Sequence, residues 1–440
     1  MRIRFWGTRG SLPKPGPATV RYGGNTSCVE VRGPDNTLIV LDCGSGAHEL
    51  GQHLVVGGRV RGHLLITHTH WDHIQGFPFF APLFVPGNEW DVYGPRQVGR
   101  RIEEVLAGQM HYPYFPVPLE TLAATIRYHE LAEESLDLAG VRVTTRYLNH
   151  PSPAIGYRLQ AGGVTLVYAT DHEPHSPHHP EAAGGPRFAR VHREDERHIE
   201  FLSGADLVIH DAQYTLEEYP ARVTWGHTPA ELAVDFAGAA HAARVALFHH
   251  DPSRTDDALD ALLARCRARP SARGMEVFAA IEGRELVIEP RGPVAGALAP
   301  AVRSSHRRAP DETTILVVDD DPDIIDLLKE TLADEGYRLL SAADGEAALD
   351  IARQEHPDMV VLDWNMPKRD GLSVCRALRA DADPRLADVP VILITGRADA
   401  ADTAAGFAAG VTDYLTKPFK PSHLLARLEA WLLRPRPPLC

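Results

Sequence analysis

Thr67-His68-Thr69-His70-Trp71-Asp72-His73 follows directly on the apolar stretch His63–Ile66. Within this heptapeptide His68, His70, Asp72 and His73 are all metal-ligand side chains, placed where a strand gives way to a loop. Such a loop can aim His68 and His70 at one cation and Asp72 and His73 at a neighbouring one. A lone histidine is usually a satisfied core or surface residue. Ligand chemistry explains this cluster better.

A pair of metals needs further ligands, also at strand ends. The sequence offers His150 in Tyr147-Leu148-Asn149-His150-Pro151, Asp171 in Tyr168-Ala169-Thr170-Asp171-His172, and His249 in Leu247-Phe248-His249-His250-Asp251. Each follows an apolar strand and precedes a turn. His250 is the alternative to His249, which fits the strand end better. If such a metal pair serves hydrolysis, a further group must protonate the leaving oxygen. Asp211, after the strand Leu207–Ile209, and His227, before the helical pattern Pro229–His241, have the chemistry for it.

Upstream of residue 291 the pattern is mostly β. Leu38–Leu41, His63–Ile66, Val141–Arg146, Thr165–Tyr168, Leu207–Ile209 and Val245–Phe248 read as strands ending in polar loops. Helical pattern falls at Pro95–Gly108, Glu194–Ser203, Pro229–His241 and Asp256–Ala268. This predicts two sheets flanked by helices. Residues 291–312 are small, Pro-rich and basic without periodicity, and read as an exposed linker. Beyond them strands and helices alternate from Ile315–Val318 to a last helix at Pro421–Leu433, which predicts a doubly wound parallel sheet.

The His-x-His-x-Asp-His motif and the downstream His150, Asp171 and His249 resemble the metallo-β-lactamase superfamily over residues 1–290. The fold this implies is α/β, an αββα metallo-β-lactamase sandwich. By this resemblance His68, His70 and His150 hold one divalent metal, Asp72, His73 and His249 hold a second, and Asp171 bridges them. Asp72 counts among the catalytic residues as well as the ligands, and Asp42 lies beneath the site, orienting the histidine loop. A His-rich, carboxylate-bridged site suits zinc, with manganese or iron as alternatives. The bridging carboxylate differs from the thiolate of the true β-lactamases. His70 stands where the di-iron flavoprotein branch has glutamate, which turns the reading from redox chemistry to hydrolysis.

The Asp211/His227 pair is similar to the phosphodiesterase branch, which includes tRNase Z and the cyclic-phosphate diesterases, and implies His227 as general acid with Asp211 orienting it. The blocks Gly7-Thr8-Arg9-Gly10-Ser11 and Asn25-Thr26-Ser27 also resemble that branch and are expected near the site. No Gly-rich arm for gripping tRNA is evident, so the expected substrate is a cyclic nucleotide or another small phosphodiester. A thioesterase or lactonase of the glyoxalase II type, or a non-catalytic sensor, are the competing readings. Met110-His111-Tyr112-Pro113-Tyr114-Phe115-Pro116 reads either as a wall on which a base stacks or as a loop buried on the core. His172–His179, rich in proline and histidine, is expected to be a mobile, solvated loop beside the site.

In the second half Asp319, Asp320 and Asp363 end strands, as does Thr395, and Lys417 follows the last strand. In a parallel sheet these ends converge on one crevice. Val318-Asp319-Asp320-Asp321, Leu362-Asp363-Trp364-Asn365-Met366-Pro367, Ile394-Thr395-Gly396 and Thr416-Lys417-Pro418 resemble the response-regulator receiver family over residues 313–435. The resemblance implies a C-terminal doubly wound (βα)5 receiver domain with Asp363 as phosphoacceptor. Magnesium would be held by Asp319, Asp320, Asp363 and the carbonyl of Asn365, and Thr395, Tyr414 and Lys417 would respond to phosphorylation. A cognate histidine kinase is the expected phosphodonor, and a homodimer is expected.

Composition narrows the rest. The 440 residues point to about two or three domains. A net charge of −14 argues against a general nucleic-acid surface, whose affinity comes from clustered Lys and Arg. The five cysteines are scattered and odd in number, which fits small buried side chains in a reducing compartment. No apolar run reaches membrane-spanning length, and the opening Met1–Gly7 has no signal-peptide character. The expected location is the cytoplasm.

Overall fold

The computed structural model describes residues 1–97, 100–175, 192–291, 310–333, 335–396 and 400–433. Its first sheet is built from β1 (Arg2–Gly7), β2 (Cys28–Arg32), β3 (Leu38–Leu41), β4 (Arg61–Leu65), β5 (Glu89–Pro95) and β6 (Thr125–Leu131). The second contains β7 (Ser135–Leu138), β8 (Val141–Tyr147), β9 (Ile155–Ala161), β10 (Val164–Ala169), β11 (Leu207–Asp211), β12 (Arg244–Phe248) and β13 (Glu276–Ala279). A returning strand, β14 (Glu285–Val287), completes the first, so both sheets have seven strands, in the orders β14-β1-β2-β3-β4-β5-β6 and β13-β12-β11-β10-β9-β8-β7.

The two sheets share one design. β14 to β3 and β7 to β10 are antiparallel, whereas β3 to β6 and β10 to β13 are parallel. Parallel strands buried on both faces read as continuous apolar runs, and β3 (Leu-Ile-Val-Leu) and β12 follow that rule. Alternation divides each run between two cores. Ile39, Leu41, Ala246 and Phe248 face the space between the sheets. Leu38 and Val40 pack outward under α1 (Ala47–Val55), in the cluster that also takes in Ile102 and Leu106. Val245 and Leu247 pack outward into the cluster of α4 (Arg193–Leu202), α5 (Ala230–Ala239) and α6 (Asp256–Arg267). The result is an αββα sandwich. A one-turn helix, α2 (Trp71–Ile74), carries the second half of the histidine motif, and α3 (Ile102–Gln109) follows β5.

Two expectations are corrected here. The helix expected at Pro95–Gly108 begins only at Ile102, because Gly94 and Pro95 still pair with Glu130 and Leu131 of β6. The solvated loop expected at His172–His179 is buried over its described part: His172, Glu173 and His175 are 3%, 6% and 1% exposed. Residues 176–179 lie outside the described residues, as do 292–309 of the expected linker.

The C-terminal unit is a parallel sheet of five strands in the order β16-β15-β17-β18-β19. These are β15 (Thr314–Val318), β16 (Arg338–Ala342), β17 (Met359–Asp363), β18 (Val391–Thr395) and β19 (Asp413–Thr416). Helices α7 (Pro322–Ala333), α8 (Gly345–Glu355), α9 (Gly371–Arg379), α10 (Pro384–Ala387), α11 (Ala400–Ala408) and α12 (Pro421–Leu432) complete it. β15 again splits its residues, Leu316 and Val318 to one face and Ile315 and Val317 to the other. This is the doubly wound arrangement. No described helix is long and apolar enough to cross a membrane.

Candidate functional site

The polar ends of β3, β4, β8, β10, β11 and β12 meet along one edge of the sandwich. Asp42, Asp171 and His249 stand just past β3, β10 and β12 with φ of +59°, +56° and +59°. Asp and His tolerate this left-handed region better than most residues, at a cost on the order of 1 kcal/mol each. That strain turns all three side chains back over the strand ends.

Among the described residues, two ligand-type clusters contain the histidine motif, and a third group brings together Asp171, Asp211, His227 and His249. In the first, His68, His70, His150 and Asp171 bring one donor atom each within 4.8 Å of one another, and in the second Asp72, His73 and His249 do the same. Asp171 faces both. Its Oδ2 lies 3.6 Å from His68 Nε2 and 4.0 Å from His150 Nε2, and its Oδ1 lies 3.2 Å from His73 Nε2 and 3.3 Å from His249 Nε2. His250 turns away, with Nε2 3.0 Å from the carbonyl of Ala280.

The outer ring atoms explain why the inner ones face one another. His73 Nδ1 donates to Asp42 Oδ2 (2.8 Å), His150 Nδ1 to the Gly226 carbonyl (3.1 Å), and His249 Nδ1 to Gln213 Oε1 (2.9 Å). Each bond fixes a tautomer whose Nε2 lone pair points inward. Asp42 is fixed in turn by Tyr168 O–H (2.8 Å) and Thr67 N–H (2.7 Å). Ser11 N–H donates to Asp72 Oδ2 (2.7 Å), which places the N-terminal block beside the site as expected. Two glycines permit this closeness. A Cβ on Gly226 (φ +87°) would stand 2.2 Å from His150 Nδ1, and one on Gly10 2.4 Å from His249 Nδ1.

Burial and neighbouring charges shift these groups in opposite directions. Burial and then neighbouring His73 push His68 well below the usual imidazole range, and burial followed by His70 does so for His150. Burial alone would lift Asp171, but His249, His73 and His68 outweigh it and hold the carboxyl well down. Burial would likewise lower His73, yet Asp171, Asp72 and Asp42 hold it up. The buried Nε2 of His68 has no hydrogen-bond partner. An orphaned lone pair among imidazoles and carboxylates is what a divalent metal completes, so the donor set fits one.

Asp211 and His227 meet beside this set. His227 Nδ1 lies 2.9 Å from Asp211 Oδ2 and 3.8 Å from Asp171 Oδ2. Burial alone would lower His227, but Asp211 first, then Asp171 and Asp72, raise it to about 9. Gln213 and Glu173 escape sequence reasoning, although they stand two residues past Asp211 and Asp171. Gln213 holds His249, while the Glu173 carboxylate accepts from Thr224 N–H (2.7 Å), Gly226 N–H (2.8 Å) and Tyr219 O–H (2.9 Å). Of the proposed aromatic wall, Met110 is buried whereas Tyr112 and Tyr114 are 80% and 83% exposed.

A second constellation lies at the ends of β15, β17, β18 and β19. Lys417 Nζ bridges Asp319 Oδ2 (2.8 Å) and Asp363 Oδ1 (2.6 Å), and Asn365 N–H donates to Asp363 Oδ2 (2.6 Å). Asp320 is exposed beside them. Burial, then Asp319, raise Asp363 against the pull of Lys417. Thr395 and Tyr414 are buried on the neighbouring strands, Thr395 accepting through its carbonyl from Lys417 N–H (2.7 Å).

Comparison with known proteins agrees with both halves. Residues 37–250 match the beta-lactamase superfamily domain, and residues 315–429 match the response regulator receiver domain. The probable transcriptional regulator ycf27 of Porphyridium aerugineum is 46% identical over 120 residues, 27% of this chain and 48% of that protein. Response regulator MprA of Mycolicibacterium vanbaalenii is 46% identical over 123 residues, 28% of this chain and 52% of that protein. The chain thus spans about half the length of the curated relatives it matches. The metallo-beta-lactamase fold protein YhfI from Bacillus subtilis is similar with a TM-score of 0.46 at 18% identity, over 65% of this chain and 98% of that one. The protein joins a beta-lactamase superfamily domain to a response regulator receiver domain.

Proposed function

We propose that residues 1–290 form a metal-dependent phosphodiesterase acting on a cyclic nucleotide or another small phosphodiester, and that phosphorylation of Asp363 regulates it. His68, His70 and His150 would hold one divalent cation and Asp72, His73 and His249 a second, with Asp171 between them. Zinc is the best match to an imidazole-rich set, with manganese or iron as alternatives. The chemistry such cations supply when bound is Lewis acidity toward phosphoryl oxygens and a nucleophile at neutral pH.

The observation that carries the diester reading is the 2.9 Å contact between His227 and Asp211. It sets an oriented, proton-bearing imidazole beside the ligand cluster without making it part of either three-residue set. A diester with an alkoxide leaving group needs such a proton donor. By engaging Nδ1, Asp211 leaves the other ring nitrogen to serve a leaving oxygen. In the receiver half, Asp363 would accept a phosphoryl group from a histidine kinase, with magnesium held by Asp319, Asp320, Asp363 and the Asn365 carbonyl.

The test is a panel of diesters, thioesters and lactones assayed on metal-loaded protein. Hydrolysis of bis(p-nitrophenyl) phosphate and of cyclic nucleotides is expected, and its loss in His68→Ala. Turnover of thioesters or lactones with no diester cleaved would replace this reading with a thioesterase or lactonase.

A further inference from the structure

Glu173 belongs to neither ligand cluster, yet it organises both the metal site and His227. Two of its three hydrogen bonds hold the strap Thr224–Gly226, whose end leads into His227 and whose Gly226 carbonyl accepts from His150 Nδ1, and the third comes from the Tyr219 hydroxyl. Glu173 is itself pinned by Asn149, through its own N–H (2.8 Å) and through its carbonyl (2.9 Å). A shift of this carboxylate therefore moves the general-acid candidate and a ligand candidate together.

What borders Glu173 on its other side is the receiver. His175, two residues on and 1% exposed, has its ring 5.8 Å from that of Phe407 in α11 and 6.0 Å from that of Trp431 in α12, both edge-on. His192 stacks on His175 at 4.7 Å and also meets Phe407 at 5.8 Å. The Arg427 guanidinium of α12 is near enough to Glu173 for the two charges to act on each other.

The same receiver side chains are tied to its responsive strand. Asp413 of β19 pairs with Arg427 and accepts from the Trp431 indole N–H (3.0 Å). The next residue, Tyr414, packs its ring edge-on against Phe407 at 4.8 Å. Its hydroxyl fills the place of a side chain at Gly406, where a Cβ would lie 1.2 Å away. Tyr414 cannot repack without displacing Phe407, and β19 cannot move without carrying Arg427 and Trp431. Packed interfaces of this kind switch between discrete arrangements rather than deform smoothly.

We propose that Glu173 is a positioning residue through which the α11–α12 face of the receiver sets the strap bearing His227, so that the phosphorylation state of Asp363 is read at the hydrolase site. This rests on the hydrolase reading above for its catalytic consequence, but not for its structural one. A phosphoryl group on Asp363 adds charge beside Lys417 and Thr395, the residues joining β18 to β19. The displacement then runs through Tyr414 and Phe407 to His175 and Glu173.

The experiment uses the full chain with beryllofluoride as the phosphoryl mimic, read by hydrogen exchange at Thr224 and Gly226 and by turnover of a cyclic nucleotide, whose ribose alkoxide leaving group needs a proton. The mimic is expected to change exchange at both amides and to change kcat about fivefold or more, the low end of ordinary coupling. Phe407→Ala combined with Trp431→Ala should remove both responses. Glu173→Ala should lower kcat on the order of 10–100-fold with KM and metal content held. Glu173→Gln should restore part of it, because its carbonyl still accepts from the strap. Unchanged exchange in the parent protein with Asp363 occupied, or a response that survives the double substitution, overturns the inference. Altered exchange without cleavage of any diester would uphold the joint and sink the phosphodiesterase reading alone.

Discussion

Asp42 Oδ2 accepts from His73 Nδ1 at 2.8 Å, from a backbone conformation with φ +59° that few residues adopt. The bond presents the opposite nitrogen of His73 to His249 and Asp171. Asp42→Asn keeps an acceptor for Thr67 N–H but sets an amide against His73. Metal affinity is expected to fall about 10–100-fold, as for other partners of ligating histidines. Competition with a chromogenic chelator measures this. An unchanged affinity would mean that Asp42 serves only the strand turn.

Asp171 spans two clusters, so its loss should differ in kind from the loss of a ligand belonging to one. His150→Ala removes a donor from the first cluster and leaves Asp72, His73 and His249 intact. Metal content is expected to drop from about two ions per chain to about one, the second set still offering three ligands. Asp171→Ala is expected to weaken both. In the parent protein, adding metal to chelator-stripped chain should raise the melting temperature, since a ligand at about 100 times its Kd adds roughly 2.7 kcal/mol. Equal stoichiometry in the two variants would rule out the bridging role.

Much of this site was legible in the chain. The strand Leu38–Leu41 was read at its observed bounds, and the seven expected ligand residues fall into two adjoining groups. Short, doubly buried strands announce themselves by unbroken apolar runs, and ligand-type residues at their ends follow. What stayed hidden depends on contacts distant in sequence. Pro95 looks like a helix start, but pairing with Leu131 keeps it in a strand. The His- and Pro-rich composition at His172–His175 suggests exposure, whereas Asp195 accepts from His175 N–H (2.9 Å) and rings of α11 and α12 cover the imidazole. No local pattern marks Glu173 or Gln213, because their partners lie on other loops.

The His227–Asp211 pair makes a prediction about leaving groups. A p-nitrophenolate departs without protonation, while a ribose or alkyl alkoxide does not. His227→Ala should therefore cost about 10²–10⁴-fold in kcat on diesters with alcohol leaving groups, the usual range for a general acid. The loss on bis(p-nitrophenyl) phosphate should be much smaller, with metal content unchanged in both assays. Asp211→Asn should fall between the parent and His227→Ala. Equal losses on both substrates would place His227 in ground-state binding or in metal ligation.

Gly226 tests how tightly the strap is fitted. It adopts φ +87°, and a Cβ there would meet His150 Nδ1 at 2.2 Å. Gly226→Ala is expected to destabilise the fold by on the order of 1–3 kcal/mol and to weaken the first cluster's metal before the second's. Differential scanning with and without metal separates the two effects. A variant with parent stability and two full sites would show that the strap has room to yield.

In the receiver, Asp363 is expected to trade stability for function. Burial and Asp319 raise its carboxyl above the ordinary carboxylate value despite Lys417 at 2.6 Å. A carboxyl raised in the folded state favours its neutral form there. Its contribution is thus fully present below the unfolded value of about 3.9 and is lost as pH rises through the folded one. At neutral pH the ionised group therefore works against the fold. Asp363→Asn, neutral at every pH and still able to accept from one of the two donors Lys417 and Asn365 through its single oxygen, should melt higher than the parent at pH 7 without magnesium. The difference should shrink as pH falls toward the ordinary carboxylate range, where the parent carboxyl is also neutral. Acetyl phosphate should label the parent but not the variant, while Lys417→Ala should be labelled and fail to respond. A lower melting temperature for Asp363→Asn at pH 7 would show that the bond to Lys417 outweighs the burial of charge.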